Sequence, residues 1–120
     1  MIKIKRVYDK HIDKGYKRVL IDGLWPRGIK KDNIDIWLKE IAPSKDLREW
    51  YNHNTDRWEK FKKRYNNELE NSKCINEIIE LSEKYNVILL YAAKDEEHSN
   101  ALVLYNFLKN KDIASFDKLL

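Results

Sequence analysis

Chemistry in this chain would have to come from two short stretches. One is Asp22-Gly-Leu-Trp-Pro-Arg-Gly28; the other is Lys94-Asp-Glu-Glu-His98, which follows the apolar run Val87 to Tyr91. Asp22, Glu96 and His98 are the candidate catalytic residues, because carboxylates and an imidazole in one cleft can exchange protons with a bound molecule near neutral pH. Arg6 and Arg27 are candidate anion contacts, since a guanidinium offers a planar fork of donors that fits carboxylate or phosphate. Trp25 and Tyr91 offer flat walls for a ring, and Tyr8 and Asp95 complete the candidate ligand-binding set. Together these residues suit a small anionic or nucleotide-like molecule, and they name no reaction.

Each of these residues also has a purely structural explanation. Acidic side chains at Asp95, Glu96 and Glu97 stand where a helix is expected to begin, and there they would complement its dipole. The Trp25-Pro-Arg-Gly28 segment is a rigid turn whose tryptophan can cover the core, and an Asp22–Arg27 salt bridge would explain that pair without a ligand. His53 reads as a local cap beside Trp50 and Tyr51, and Cys74 as a small buried apolar residue. Dinucleotide fingerprints, phosphate-binding loops and nucleophile elbows are absent from the sequence. The three histidines, His11, His53 and His98, share no local metal spacing, so no metal site is assigned. Only a non-local grouping of Asp22, His53 and His98 stays open. Glycan hydrolysis by an Asp22–Glu96 pair lacks aromatic sugar platforms.

The elements that must position these groups follow from hydrophobic periodicity. Val87 to Tyr91 is apolar without alternation, the pattern of a strand covered on both faces in a parallel sheet. Ile2 and Ile4 alternate with Lys3 and Lys5, which predicts a half-buried strand over 2–7, and Arg18 to Asp22 predicts a third strand. Five helices are expected. Ile34, Trp37, Leu38 and Ile41 have helical spacing up to Pro43, and Ser44 can cap a helix carrying Leu47, Trp50 and Tyr51. Thr55 can cap a helix whose Trp58, Phe61, Tyr65 and Leu69 form one apolar face opposite Lys60, Lys63 and Arg64. Ile75, Ile78, Ile79 and Tyr85 mark a fourth, and Ala101, Leu104, Tyr105 and Leu108 a fifth. Trp37, Trp50 and Trp58 are expected in the core, and 113–120 reads as an apolar tail packed on the body. The order predicts one α/β domain over residues 1–120: a small, mostly parallel sheet of about three to four strands flanked by helices. Ligands on such sheets sit past the strands' carboxyl ends, where both stretches would meet.

Composition sets the outer bounds. The chain has 120 residues, 42% hydrophobic and 37% charged, with three glycines and two prolines, which disfavours a turn-rich all-β design. Its apolar runs fall far short of the roughly twenty residues that span a bilayer. No signal-peptide core follows Met1, and one cysteine permits no internal disulfide, so a cytoplasmic location is expected. The net charge of +4 is uneven: residues 1–40 hold eleven Lys/Arg against six Asp/Glu, whereas residues 71–120 hold six against eight. This supports a second reading, a non-catalytic binding or regulatory module whose basic N-terminal face meets an acidic partner or nucleic acid. No nucleic-acid recognition motif accompanies the charge.

Several stretches together carry a family resemblance. They are Lys5-Arg-Val-Tyr-Asp9, Val19-Leu-Ile-Asp-Gly-Leu-Trp-Pro-Arg-Gly28, Trp37-Leu-Lys-Glu-Ile-Ala-Pro-Ser44, Leu47-Arg-Glu-Trp-Tyr-Asn-His53 and Leu89-Leu-Tyr-Ala-Ala-Lys-Asp-Glu-Glu-His98, with Arg57-Trp58, Phe61 and Arg64-Tyr65 between them. Over about residues 4–108 the chain resembles the YeaO-like branch of the domain-of-unknown-function 488 family. That resemblance implies an α/β fold and carries no established reaction. Gly23 departs from it, standing where the family pattern Asp-Arg-Leu-Trp-Pro-Arg-Gly implies an arginine, and the loss weakens the expectation of an anion pocket. The broader family's Cys-x-Glu at the strand end corresponds here to Tyr91-Ala-Ala93, and its Cys-His-Arg to His98-Ser-Asn100. Chemistry resting on that thiol or that glutamate does not carry over.

Overall fold

A computed structural model describes residues 1–111, and the apolar tail expected over 113–120 lies outside the described residues. Four parallel strands make one sheet in the order β1-β4-β2-β3, with β1 at Ile2–Arg6, β2 at Tyr16–Leu20, β3 at Ile36–Trp37 and β4 at Asn86–Tyr91. Central β4 pairs on both edges: Leu89 lies level with Ile4 of β1 and with Val19 of β2. Four α-helices follow, α1 at Lys45–Tyr51, α2 at Trp58–Glu70, α3 at Cys74–Lys84 and α4 at Asn100–Asn110. The expected α/β class, with its small parallel sheet, is the fold observed. Among the described residues, no helix is long and apolar enough to cross a membrane.

The unbroken apolar run of β4 is explained by what covers each face. Successive side chains of a strand point to opposite sides. Val87, Leu89 and Tyr91 join the large core with buried residues from all four helices. Ile88 and Leu90 point the other way, into a smaller cluster with Val7 and Leu20 that Trp25, Ile29 and Ile34 cover. Helices therefore close one face and a loop closes the other. That loop is the Trp25-Pro-Arg-Gly28 segment, which turns at Gly28 with φ of 79°, a left-handed conformation that glycine adopts freely.

The helical face drawn for α2 is the one observed. Trp58, Phe61, Tyr65 and Leu69 are buried, while Lys60, Lys63 and Arg64 are exposed. Cys74 is buried as expected, and burial pushes its thiol up.

Four expectations fail. Residues 34–41 are not a helix. A 3-10 turn at Lys31–Asn33 leads into β3, and another follows at Lys39–Ile41. Ile34, Ile36 and Leu38 also fit a period of two, and strand pairing uses it: the Asp35 N–H donates to the Arg18 carbonyl at 2.9 Å and the Leu38 N–H to that of Leu20 at 2.9 Å. Trp37 accordingly faces outward, 37% exposed, and Trp50 is only half-buried; of the three tryptophans expected in the core, Trp58 alone is buried.

Thr55 does not cap α2. It opens a 3-10 turn, Thr55–Arg57, in which the Asn54 side chain accepts from the Asp56 N–H at 3.1 Å. Nor does α4 begin at Asp95. Ser99, fully buried, is its N-cap and accepts from the Leu102 N–H at 3.2 Å. The expected cap of α1 is present, with Ser44 accepting from the Leu47 N–H at 3.2 Å.

Candidate functional site

Because all four strands are parallel, the exits of β1, β4 and β2 share one edge of the sheet. Asp22 stands at its centre. One carboxylate oxygen accepts from the Ala92 N–H just beyond β4 at 2.9 Å, and the other from the Asn100 side-chain amide at the start of α4 at 3.1 Å. Its carbonyl accepts from the Trp37 indole N–H at 2.7 Å. One residue thus ties β2, β3, β4 and α4 together. Burial raises its carboxyl above the usual range, opposed by the two hydrogen bonds and by the charge of Arg48.

Asp22, Tyr8, Trp25, Arg27 and His98 all line one pocket of about 400 Å³. Both stretches singled out in the sequence therefore reach the same cavity. Tyr51, Phe61, Leu24, Pro43, Ala92 and Ala93 make much of the remaining wall, so its lining is largely apolar, as in small-molecule sites generally. Trp25 is fixed by its indole N–H, which donates to the Ile29 carbonyl at 2.8 Å, and by an edge contact with Trp37 at 5.4 Å. Tyr8 donates to the Arg27 carbonyl at 2.9 Å, which leaves the exposed Arg27 guanidinium at the rim. No Asp22–Arg27 salt bridge forms among the described residues, because the Asp22 oxygens are held by Ala92 and Asn100.

Four of the residues expected at the site do not line this pocket. Arg6 is committed to the backbone, its guanidinium donating to the carbonyls of Ala93 at 2.9 Å and Ala92 at 3.2 Å. Tyr91 lies on the helix-covered face of β4 and is 3% exposed, and its hydroxyl is pushed up by burial. Glu96 is exposed outside the lining. Asp95 closes a turn: it accepts from the Glu97 and His98 N–H groups at 3.0 and 3.1 Å and contacts the His98 Nδ1 at 2.8 Å, which holds its carboxyl below the usual range. Asp95 and His98 line a smaller neighbouring cavity of about 260 Å³ together with Tyr51 and His53. His98 is further held edge-on against buried Trp58 at 5.1 Å.

Arg48 is the residue that the sequence did not single out. It comes from α1, lines the pocket, and packs its guanidinium against Gly23 so closely that a Cβ there would lie 2.5 Å from Nη1. Its Nε is buried with no hydrogen-bond partner, and no ion pair to its guanidinium forms among the described residues. Arg48 thus brings a cation from another element into the space that glycine leaves at position 23. The only signal in the sequence was its place in Leu47-Arg-Glu-Trp-Tyr-Asn-His53, where its neighbours Leu47 and Tyr51 are core. Asn100 was missed for the same reason: a helix-opening polar residue carries no mark of the long-range contact it makes.

His53 also lines the pocket, although it reads from the sequence as a local cap. It follows Asn52 at the end of α1, and both are left-handed, with φ of 44° and 56°. Two such non-glycine residues in succession are uncommon and bear a conformational cost. Asp22, His53 and His98 share a wall, yet no group of three or more metal-ligating side chains among the described residues is placed to hold a metal ion.

Comparison with known proteins agrees over nearly the whole length. A family model described as the inactive DUF488-N3 subclade matches residues 1–117. The uncharacterized protein Rv3073c of Mycobacterium tuberculosis strain H37Rv is 38% identical over 112 residues, covering 92% of this chain and 95% of the relative. The uncharacterized protein YeaO of Escherichia coli strain K12 is 37% identical over 112 residues, covering 91% and 97%. No solved structure matches the chain. On a family model spanning residues 1–117 and relatives at 37% and 38% identity, the chain belongs to the DUF488 family, as a YeaO-like member of the group described as the inactive DUF488-N3 subclade.

Proposed function

We propose that this protein is a non-catalytic binding module whose pocket at the strand carboxyl ends holds a small anion carrying a flat ring, of the nucleotide-like class. The observation that carries the reading is Arg48: a guanidinium in a largely apolar cavity, with a buried donor that no protein group satisfies. An unpaired buried donor costs about 1–3 kcal/mol, and more for a charged group. An oxyanion entering the pocket gives this guanidinium the ion-pair partner that no described carboxylate supplies, and Arg27 at the rim adds a second positive charge. Trp25, Tyr51 and Phe61 give the ring its apolar surroundings.

Three considerations support binding without turnover. Asp22, the most buried candidate acid/base group, has both carboxylate oxygens occupied by structural hydrogen bonds. The family group to which the chain belongs is described as inactive. The resemblance also implies that the broader family's two thiols and its glutamate correspond here to Tyr91, His98 and Ala93, which supply neither group.

The reading is tested by a thermal-unfolding screen of nucleoside monophosphates and aromatic carboxylates. A ligand at 100 times its Kd should stabilise the native state by about 2.7 kcal/mol. Arg48→Met should weaken that ligand tenfold or more, and the ligand should be recovered unchanged after prolonged incubation. Absence of any binder from both classes would overturn the binding claim, and conversion of the bound molecule would overturn the non-catalytic one.

A further inference from the structure

We infer that Gly23 is the residue that sets the pocket's preference for anions, because its missing side chain is the berth of the Arg48 guanidinium. This deepens the binding proposal and rests on it for the ligand, though its structural half stands by itself. Gly23 does not adopt the positive φ seen at Gly15 and Gly28, so no turn demands glycine there. What demands it is space. A Cβ at position 23 would lie 2.5 Å from Nη1, 3.0 Å from Cζ and 3.3 Å from Nη2 of Arg48, and these are the three nearest heavy atoms.

The consequence is selective. Arg48 is the far end of a flexible side chain, so an added methyl group at position 23 displaces the guanidinium rather than the backbone. The chain still folds, since the Arg48 Nε has no hydrogen bond to lose and the backbone bonds of α1 are untouched, and the apolar walls from Tyr51 and Phe61 stay in place. What moves off its place is the cation. A pocket so altered keeps its affinity for a neutral ring and loses its advantage for the same ring bearing an oxyanion. Position 23 acts through Arg48 and is therefore a positioning residue.

Two measurements on the full chain test this. The first needs no ligand: in the wild-type protein the buried Arg48 Nε–H should give a slowly exchanging NMR signal, assigned by its loss in Arg48→Lys. Gly23→Ala should move that signal to the fast-exchanging, exposed position while the remaining spectrum keeps its dispersion. An unmoved, still protected Nε–H in Gly23→Ala would overturn the inference, whatever binds. The second uses adenosine monophosphate and adenosine as an anionic and a neutral probe. Gly23→Ala should weaken the monophosphate at least tenfold and adenosine less than threefold. Equal weakening of both, or a monophosphate affinity within threefold of wild type, would overturn it. Failure of the monophosphate to bind wild-type protein would sink the ligand half while the NMR result still decides the berth. If Gly23→Ala proves unstable, Gly23→Ser in an Arg48→Ala background should fold like Arg48→Ala alone, and a further large drop in melting temperature there would show that Arg48 was not the obstacle.

Discussion

Asp22 and Tyr65 show how single polar atoms decide the shape of the site. The Tyr65 side chain is fully buried and its hydroxyl donates to the Ile41 carbonyl at 2.7 Å, pinning the turn before α1 onto α2. Removing that hydroxyl leaves a buried carbonyl unsatisfied, so Tyr65→Phe should cost about 1–3 kcal/mol in urea unfolding. Asp22 works against stability in its charged form, since its folded pKa is raised above the ordinary 3.8. The protonated form is favoured on folding, so its contribution is full below 3.8 and falls as pH rises through the folded value. Asp22→Asn keeps an acceptor for the Ala92 N–H, and the Asn100 amide can flip to offer its oxygen. The variant should therefore lack this decline, and the difference from wild type in unfolding free energy should change between pH 3.8 and neutrality. A difference constant with pH would refute the assignment.

At the scale of elements, β4 holds the sheet together, and charge ties β1 to the connection that follows it. Leu89, level with Ile4 and Val19 and fully buried, should cost about 2–5 kcal/mol on replacement by alanine. A measured loss below 1 kcal/mol would contradict its central place. Lys3 and Lys5 of β1 both hold Asp13, at 2.5 and 2.9 Å, and draw its carboxyl down to about 2. A lowered carboxyl stabilises above its ordinary 3.8 and loses that support as pH falls through about 2. Asp13→Asn should abolish this loss, read from denaturation midpoints across pH 2 to 4.5. These elements also show what the sequence could convey. The β4 run and the α2 face were legible, because long apolar patterns depend on burial alone. The segment over 34–41 was not, because Ile34, Ile36 and Leu38 fit two periods and only pairing with β2 selects one. The site was legible where its residues sit in the two conspicuous loops. Arg48 and Asn100 were not, since nothing local records that a helix residue reaches a loop elsewhere in the chain.

For the whole molecule, the basic N-terminal third is less available to a polyanion than its composition implies. Of its eleven cations, Lys3 and Lys5 are paired with Asp13, Arg18 forks onto Asp35 at 3.0 and 3.1 Å, and Arg6 is turned onto backbone carbonyls. Among those that remain, Lys10, Lys17 and Arg27 line one cavity together with the already paired Lys5 and Arg18, and Lys39 lies over Trp37 at 5.4 Å. A duplex carries one charge per 1.7 Å or so of its axis, and a protein gains affinity by neutralising several neighbouring phosphates at once. A few cations beside others that are internally neutralised meet that requirement poorly. Binding to a 20-base-pair DNA or RNA duplex should therefore be weak, with a Kd no tighter than the roughly 10⁻⁴ to 10⁻⁶ M of non-specific association at physiological salt. The slope of log K against log salt should correspond to only two or three phosphate contacts. A steep slope with nanomolar affinity, lost on reversing charges at Lys10, Lys14 and Lys17, would instead make the N-terminal face a nucleic-acid surface and displace the small-anion pocket as the main functional reading.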